Sequence, residues 1–97
     1  MVETWDGWQL TAARALAGVT MRELAEHAQT TRRVISDLET RGAIQIAETR
    51  RRGHVTRELW DRIVTALRDA GVELLPEGRS HGSGVRWMQP RANRLPR

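Results

Sequence analysis

The side chains best suited to chemistry lie in the stretch TTRRVISDLE, residues 30–39. Two threonines and two arginines precede the apolar pair Ile35 and Leu38, whose spacing of three is typical of one helix face. The opposite, polar face then contains Arg33, Ser36, Asp37 and Thr40. Free backbone N–H groups in the first turn favour phosphate contacts, and an arginine can pair with guanine O6 and N7. This pattern is typical of a helix that presents its first turn to DNA.

The residue types give little support for a metal site or a catalytic site. The chain has no cysteine, and His27, His54 and His81 are far apart without the spacing of metal ligands. No serine lies in a G-x-S-x-G context, and no paired carboxylates stand in an apolar setting. We therefore expect no enzyme, no metal, no cofactor and no small-molecule ligand.

Charge is unevenly distributed along the 97 residues. All sixteen basic residues are arginine. Residues 1–28 are net −2, whereas residues 29–62 hold eight arginines against five acids, and residues 78–97 hold five arginines and no acid. Such clusters suit an anionic polymer, and double-stranded DNA is the expected partner. A merely solvated face is the competing interpretation.

Helix-start and helix-stop signals predict three short helices before residue 42. The first covers about residues 8–17, is capped by Asp6 and ends at Gly18. The second covers about residues 21–28 after a capping box, T-x-x-E. The third covers about residues 32–41, with Thr31 as its cap.

A fourth helix follows, and the segments before and after it have weaker secondary-structure signals. It begins after the cap Thr56, repeats apolar residues at helical spacing, and should end at Gly71. Residues 42–55 are predicted to form a loop, although AIQIA alternates as a strand would. VELLPE and GVRWM predict a β-hairpin or two edge strands, and residues 90–97 form a basic tail expected to be disordered.

A strand pair this short is marginal alone, so pairing across a two-fold axis would stabilise it. A homodimer is therefore expected, without a membrane, since no signal peptide or spanning segment is evident. The alternative for the same apolar side chains is packing in the protomer's own core. The candidate interface residues are Trp60, Leu67, Leu74 and Trp87.

Residues 13–39, ARALAGVTMRELAEHAQTTRRVISDLE, resemble the lambda-repressor/Cro-type (XRE-type) helix-turn-helix family. The matching pattern is R-x-x-x-G-Leu/Val, a capped E-L-A, a short turn, and a capped recognition helix ending in I-x-x-L-E. The resemblance implies a buried ion pair between Arg14 and Glu39. It also implies that the recognition helix faces base edges with Arg32, Arg33, Ser36 and Asp37.

Two departures from the family pattern matter. Gln29 occupies a turn position that usually holds glycine, so the turn must accommodate a side chain, and a strained φ is one way to do so. Met21 replaces a polar residue often used on phosphate, which shifts phosphate anchoring elsewhere. The predicted backbone contacts are Thr20, Arg22, Thr31, Thr40, Arg50, Arg51 and Arg52.

Two local interpretations remain open. The carboxylate of Asp37 either accepts a hydrogen bond from the N4 amino group of cytosine or orients the side chain of Arg33 one helical turn away. The run TRRRG, residues 49–53, is either a solvated loop or a clamp on the DNA backbone.

The sequence thus predicts a mainly α domain, residues 1–89, with four or five helices in a Cro/repressor-like arrangement and a C-terminal β-element for dimerisation. The expected function is a cytoplasmic, dimeric, sequence-specific transcriptional regulator, by default a repressor, that binds an inverted-repeat operator. Two alternatives are an antitoxin that autoregulates and neutralises a toxin, and an anti-activator that keeps the fold for protein contacts.

Overall fold

A computed structural model describes residues 3–93 of the chain. Strand β1 (Thr4–Asp6) precedes helices α1 (Gly7–Ala17), α2 (Met21–His27) and α3 (Arg32–Thr40), and strands β2 (Ala43–Ala47) and β3 (Val55–Thr56) follow. Helix α4 (Arg57–Asp69) then leads to strands β4 (Val72–Leu75) and β5 (Gly84–Trp87) and to a 3-10 turn (Arg91–Asn93).

The predicted helices are confirmed to within one or two residues, because short-range caps define their ends. The hydroxyls of Thr20, Thr31 and Thr56 each accept a hydrogen bond from the backbone N–H three residues on. Gly18 ends α1 with φ 71°, a left-handed conformation that glycine adopts without a steric penalty.

The fold class is α+β, so the prediction of a mainly α, Cro/repressor-like domain is wrong. The described residues form four helices and two sheets. In the first sheet β2 lies in the centre, antiparallel to β1 with Thr4 opposite Gln45 and parallel to β3 with Ile46 opposite Val55. The second sheet is the antiparallel pair β4 and β5.

The error arose mainly in residues 42–55, which were predicted to form a loop. Strand β2 is the alternating stretch AIQIA, with Ile44 and Ile46 buried and Gln45 exposed. Its partners are too short to be recognised by periodicity, since β1 has three residues and β3 has two. The arginines and Gly53, which favoured a loop, lie only in the connection between β2 and β3.

The predicted C-terminal β-hairpin is confirmed, and it packs against α1 and α4 of its own chain. Val72 is fully buried, and Leu74 is 8% exposed. Of the predicted tail, residues 91–93 form the 3-10 turn, and residues 94–97 lie outside the described part of the chain.

A buried amide attaches the hairpin to the start of α1. Gln9 is fully buried, and its Nε2 donates to the carbonyls of Leu75 and Gly84, at 2.9 Å each. Its Oε1 accepts from the backbone N–H of Asp6 at 2.9 Å. The amide thereby joins β4, β5 and the N-terminus of α1 at one point.

Replacing Gln9 by alanine should lower the free energy of unfolding by about 2 to 4 kcal/mol, because two carbonyls and one N–H lose their partner. Urea denaturation of wild type and Gln9→Ala measures the change. Gln45→Ala, on the exposed face of β2, is the control and should cost under about 1 kcal/mol. Equal losses in the two variants would contradict a structural role for the buried amide.

Acid should weaken the ion pair between Glu3, which immediately precedes β1, and Arg57 of α4. Glu3 accepts from both terminal nitrogens of Arg57, at 2.8 and 3.2 Å, and these bonds lower the pKa of Glu3 below its ordinary 4.5. A lowered pKa contributes stability above the unfolded value, and this contribution is lost as pH falls through the folded value.

Glu3→Gln should therefore flatten the fall of stability with pH between about pH 5 and pH 3. Denaturation midpoints at several pH values test this. Glu77→Gln, which changes an exposed carboxylate without an ion pair among residues 3–93, should keep the wild-type slope. A Glu3→Gln curve parallel to wild type would rule the contribution out.

Candidate nucleic-acid interface

A short turn joins α2 to α3 and is bonded from both sides. Ala28, which caps the C-terminus of α2, is fully buried, and Gln29 has φ 57° in the left-handed region, so the turn accommodates its side chain at a strained φ. The N–H of Thr30 donates to the carbonyl of Ala25 at 2.8 Å. From α4, Nε of Arg62 donates to the carbonyl of Ala28 at 2.9 Å. The relative position of the two helices is thereby held by hydrogen bonds.

The inner side of α3 is anchored to α1 by the predicted ion pair, which is confirmed. Arg14 donates through Nε and Nη2 to the carboxylate of Glu39, at 2.5 and 2.9 Å. The Glu39 side chain is only 4% exposed and also accepts from the hydroxyl of Thr11. These hydrogen bonds raise the pKa of Arg14, and Nη1 of Arg14 additionally holds the carbonyl of Val19.

A close backbone approach fixes the same, C-terminal end of α3. Gly7, the first residue of α1, lies against the carbonyls of Leu38 and Arg41, where a Cβ would collide with both oxygens. Only glycine fits at this contact. Helix α3 is thus held to α1 at its C-terminal end, and its opposite face remains open.

The four predicted base-contacting residues lie on the open side of α3. Arg32, Arg33 and Asp37 are exposed, and Ser36 is half-buried. Within residues 3–93, no hydrogen bond or ion pair engages these four side chains, and none links Arg33 to Asp37 as the orienting hypothesis requires. The hydroxyl of Thr40, farther along, donates to the carbonyl of Asp37. The donors of both arginines are available to a ligand.

Two of the predicted phosphate contacts line an open groove of about 620 Å³ where α1 meets α2. Thr20 and Glu23 form the expected capping box, and the backbone N–H of Thr20 is the main cause of the lowered pKa of Glu23. Arg22 is exposed, and Arg32 reaches the same groove from α3. Met21 is half-buried and packs against the core.

A second open groove, of about 530 Å³, separates α3 from residues 48–54, which we call the arginine loop. Asp37 and Arg41 lie on the side of α3, and the exposed Arg50, Arg51 and Arg52 lie on the side of the loop. The predicted phosphate contacts of this loop therefore face α3 across the groove.

The arginine loop contains a hydrogen-bonded turn. The N–H of His54 donates to the carbonyl of Arg51 at 3.0 Å, and Gly53 adopts φ 77° between them. Nη1 of Arg41, the residue that ends α3, donates to the carbonyl of Gly53 at 3.3 Å. Helix α3 and the arginine loop are thus connected directly.

Ion pairing divides the arginines into two groups. Those of α4 and β5 each have a carboxylate oxygen between 2.6 and 3.4 Å away: Arg57, Arg62, Arg68 and Arg86. Arg14, which lines the first groove, pairs with Glu39, but the other arginines around α3 and the two grooves have no carboxylate partner among residues 3–93: Arg22, Arg32, Arg33, Arg41, Arg50, Arg51 and Arg52. Seven of the nine arginines without a carboxylate partner among residues 3–93 therefore lie around α3 and the two grooves; the other two are Arg79 and Arg91.

The predicted dimer-interface residues lie mostly inside the protomer. Trp60 and Leu67 are 1% exposed and Leu74 is 8% exposed, so core packing accounts for their burial. Trp87 is half-buried on β5. The exposed large apolar side chains of the described chain are Trp8 and Met88.

Among residues 3–93, no group of three or more histidines or acids is placed to hold a metal ion. His27 lies 2.9 Å from Asp69, and His54 bonds the carbonyl of Arg52. No helix in that range is long and apolar enough to cross a membrane.

The structural roles of three residues near α3 are not indicated by any local sequence pattern: Gly7, Arg41 and Arg62. Each acts on a backbone carbonyl that lies 12 or more residues away, at Leu38, Gly53 or Ala28. No local pattern marks such a partner. An alternating run in AIQIA was the only signal that the chain returns beside α3.

Comparison with models of known protein families gave no match for this chain, and comparison with curated proteins gave none.

The Arg14–Glu39 pair should show strong energetic coupling. Arg14→Met and Glu39→Met should each cost about 2 to 4 kcal/mol, because each leaves a largely buried charge without its partner. The double variant should cost clearly less than the sum. A double-mutant cycle by urea denaturation measures this coupling. Additive losses would mean that the pair does not anchor α3.

Proposed function

We propose that the chain is a sequence-specific DNA-binding transcriptional regulator that inserts α3 into the major groove of double-stranded DNA. One observation carries the proposal. Helix α3 is fixed on its inner side by Arg14–Glu39 and Gly7, while the arginines of its outer side have no partner among residues 3–93. A rigid element with unsatisfied, exposed donors is what recognition of base edges requires.

The chemistry of α3 suits reading of G·C pairs. The guanidinium of Arg32 or Arg33 can donate two hydrogen bonds to guanine O6 and N7, and the carboxylate of Asp37 can accept from cytosine N4. Each good bidentate contact contributes about 1 to 3 kcal/mol of discrimination. The same carboxylate is repelled by phosphate, so it favours an arrangement in which α3 faces bases.

The arginines beside α3 suit the DNA backbone. Arg22 and Arg32 share one groove, and Arg50 to Arg52 line the other, all without a neutralising acid in the described chain. Arginines placed on both sides of a recognition helix neutralise phosphates and set its register on the duplex. The hydroxyls of Thr20 and Thr31 accept cap hydrogen bonds and keep their protons to donate to phosphate, whereas the hydroxyl of Thr40 already donates to the carbonyl of Asp37.

A two-fold symmetric dimer is part of the proposal, since it would place two copies of α3 on an inverted repeat about one helical turn apart. Of the four interface residues expected from the sequence, only Trp87 lies partly at the surface, next to the exposed Met88. These two residues on and after β5 are the proposed contact. Such a regulator would act in the cytoplasm, by default through occlusion of a promoter.

Arg33→Ala should abolish selection of a sequence from a randomised duplex library. Wild type should select an inverted repeat, and the variant should retain weak binding that falls steeply with salt, because phosphate contacts remain. Selection at two salt concentrations, with the mass of the protein measured in solution, tests both parts. Arg79→Ala removes an equal charge from the β4–β5 turn and should bind as wild type.

If wild type selects no sequence at either salt concentration, the regulator proposal fails, and an interaction module for proteins becomes the better interpretation. If Arg33→Ala selects the same sequence as wild type, α3 is not the reader.

A further inference from the structure

The groove between α3 and the arginine loop has two walls that face the same space. Asp37 and Arg41 belong to the wall of α3, and Arg50, Arg51 and Arg52 belong to the wall of the loop. In a duplex, each sugar–phosphate strand separates the major groove from the minor groove. Elements that lie on either side of one strand therefore enter different grooves.

We propose that the arginine loop enters the minor groove next to the half-site read by α3, with one sugar–phosphate strand seated between them, so that Arg50, Arg51 and Arg52 determine a preference for the flanking base pairs. The inference rests on the proposed function, because it requires α3 to lie in the major groove. It assigns the loop a role in specificity beyond neutralisation of phosphate.

The charge of the groove suits this arrangement. Four arginines line it against the single carboxylate of Asp37, and none of the four has an acidic partner among residues 3–93. Arg41, at the C-terminal end of α3, is placed where the strand would pass. Asp37 lies on the wall of the helix, and the four arginines outweigh its single negative charge.

The loop is also preorganised for such a contact. The bond from His54 to Arg51 closes a turn with Gly53 at φ 77°, and Arg41 holds the carbonyl of Gly53. The connection runs from the recognition helix to the loop, so the two elements keep a defined separation. Arginines on an ordered turn lose less conformational entropy on insertion than arginines on a free chain.

Insertion of arginine into the minor groove carries sequence preference. That groove distinguishes A·T from G·C through the N2 amino group of guanine, and A-tracts narrow it and strengthen its negative potential. The operator should therefore have A·T-rich flanks that α3 never touches. Preference at the flanks would depend on the loop, and preference in the half-site would depend on α3.

The test uses one half-site sequence, selected by the wild-type protein, in three duplexes. Their flanks are A·T pairs, G·C pairs, or inosine·cytosine pairs, which lack the minor-groove amino group but keep the major-groove pattern of G·C. Wild type should bind the A·T and inosine duplexes about tenfold more tightly than the G·C duplex. Arg50→Gln/Arg51→Gln/Arg52→Gln should lose this difference and still select the half-site, whereas Arg79→Gln should keep both.

Two results would overturn the inference and leave the regulator proposal intact: equal binding of inosine and G·C flanks by wild type, or a flank preference that survives in the triple variant. If no half-site can be selected at all, both proposals fail. The three loop arginines are exposed and unpaired, so the triple variant should fold as stably as wild type. Matching thermal unfolding curves would show that a lost flank preference is not caused by misfolding.

Discussion

The bidentate bond between Arg14 and Glu39 is the interaction on which the candidate site most depends. It joins the middle of α1 to the last turn of α3. Nη1 of Arg14 also donates to the carbonyl of Val19, in the connection between α1 and α2. A charge pair this well buried stabilises a single geometry, since neither partner tolerates the loss of the other. The inner face of α3 is thereby packed against α1, and its outer face stays exposed.

The second organising feature is the selective neutralisation of arginine. On the exposed faces of α4 and β5, glutamates form ion pairs with the arginines, so positive and negative charges are balanced there. Around α3 and the arginine loop, Glu39 pairs with Arg14 and Glu48 lies 3.7 Å from Arg57, so Asp37 is the one acid among residues 3–93 that faces the unpaired arginines across the groove between them. Electrostatic attraction of a polyanion depends on such local excess more than on the net charge of +4.

The two sheets give this helical motif its support. Strand β2 is held between β1 and β3, which fixes both ends of the arginine loop, and the β4–β5 hairpin is bonded to α1 through Gln9. The hairpin therefore belongs to the core of the protomer. This explains why Leu74 and Leu67, expected at a dimer interface, are buried within one chain.

The sequence by itself determined the parts of this protein that depend on neighbours a few residues apart. The threonine caps, the stops at Gly18 and Gly71 and the apolar stripe of α4 follow from local bonds and periodicity, and the resemblance correctly implied the pairing of Arg14 with Glu39. Only the tertiary structure decided the first sheet, the core position of Trp60, and the bond from Arg41 to Gly53. Strands of two or three residues are too short to show an alternating pattern in the sequence. Which distant backbone carbonyl a side chain bonds depends on how the elements pack in three dimensions, and the local sequence does not record that.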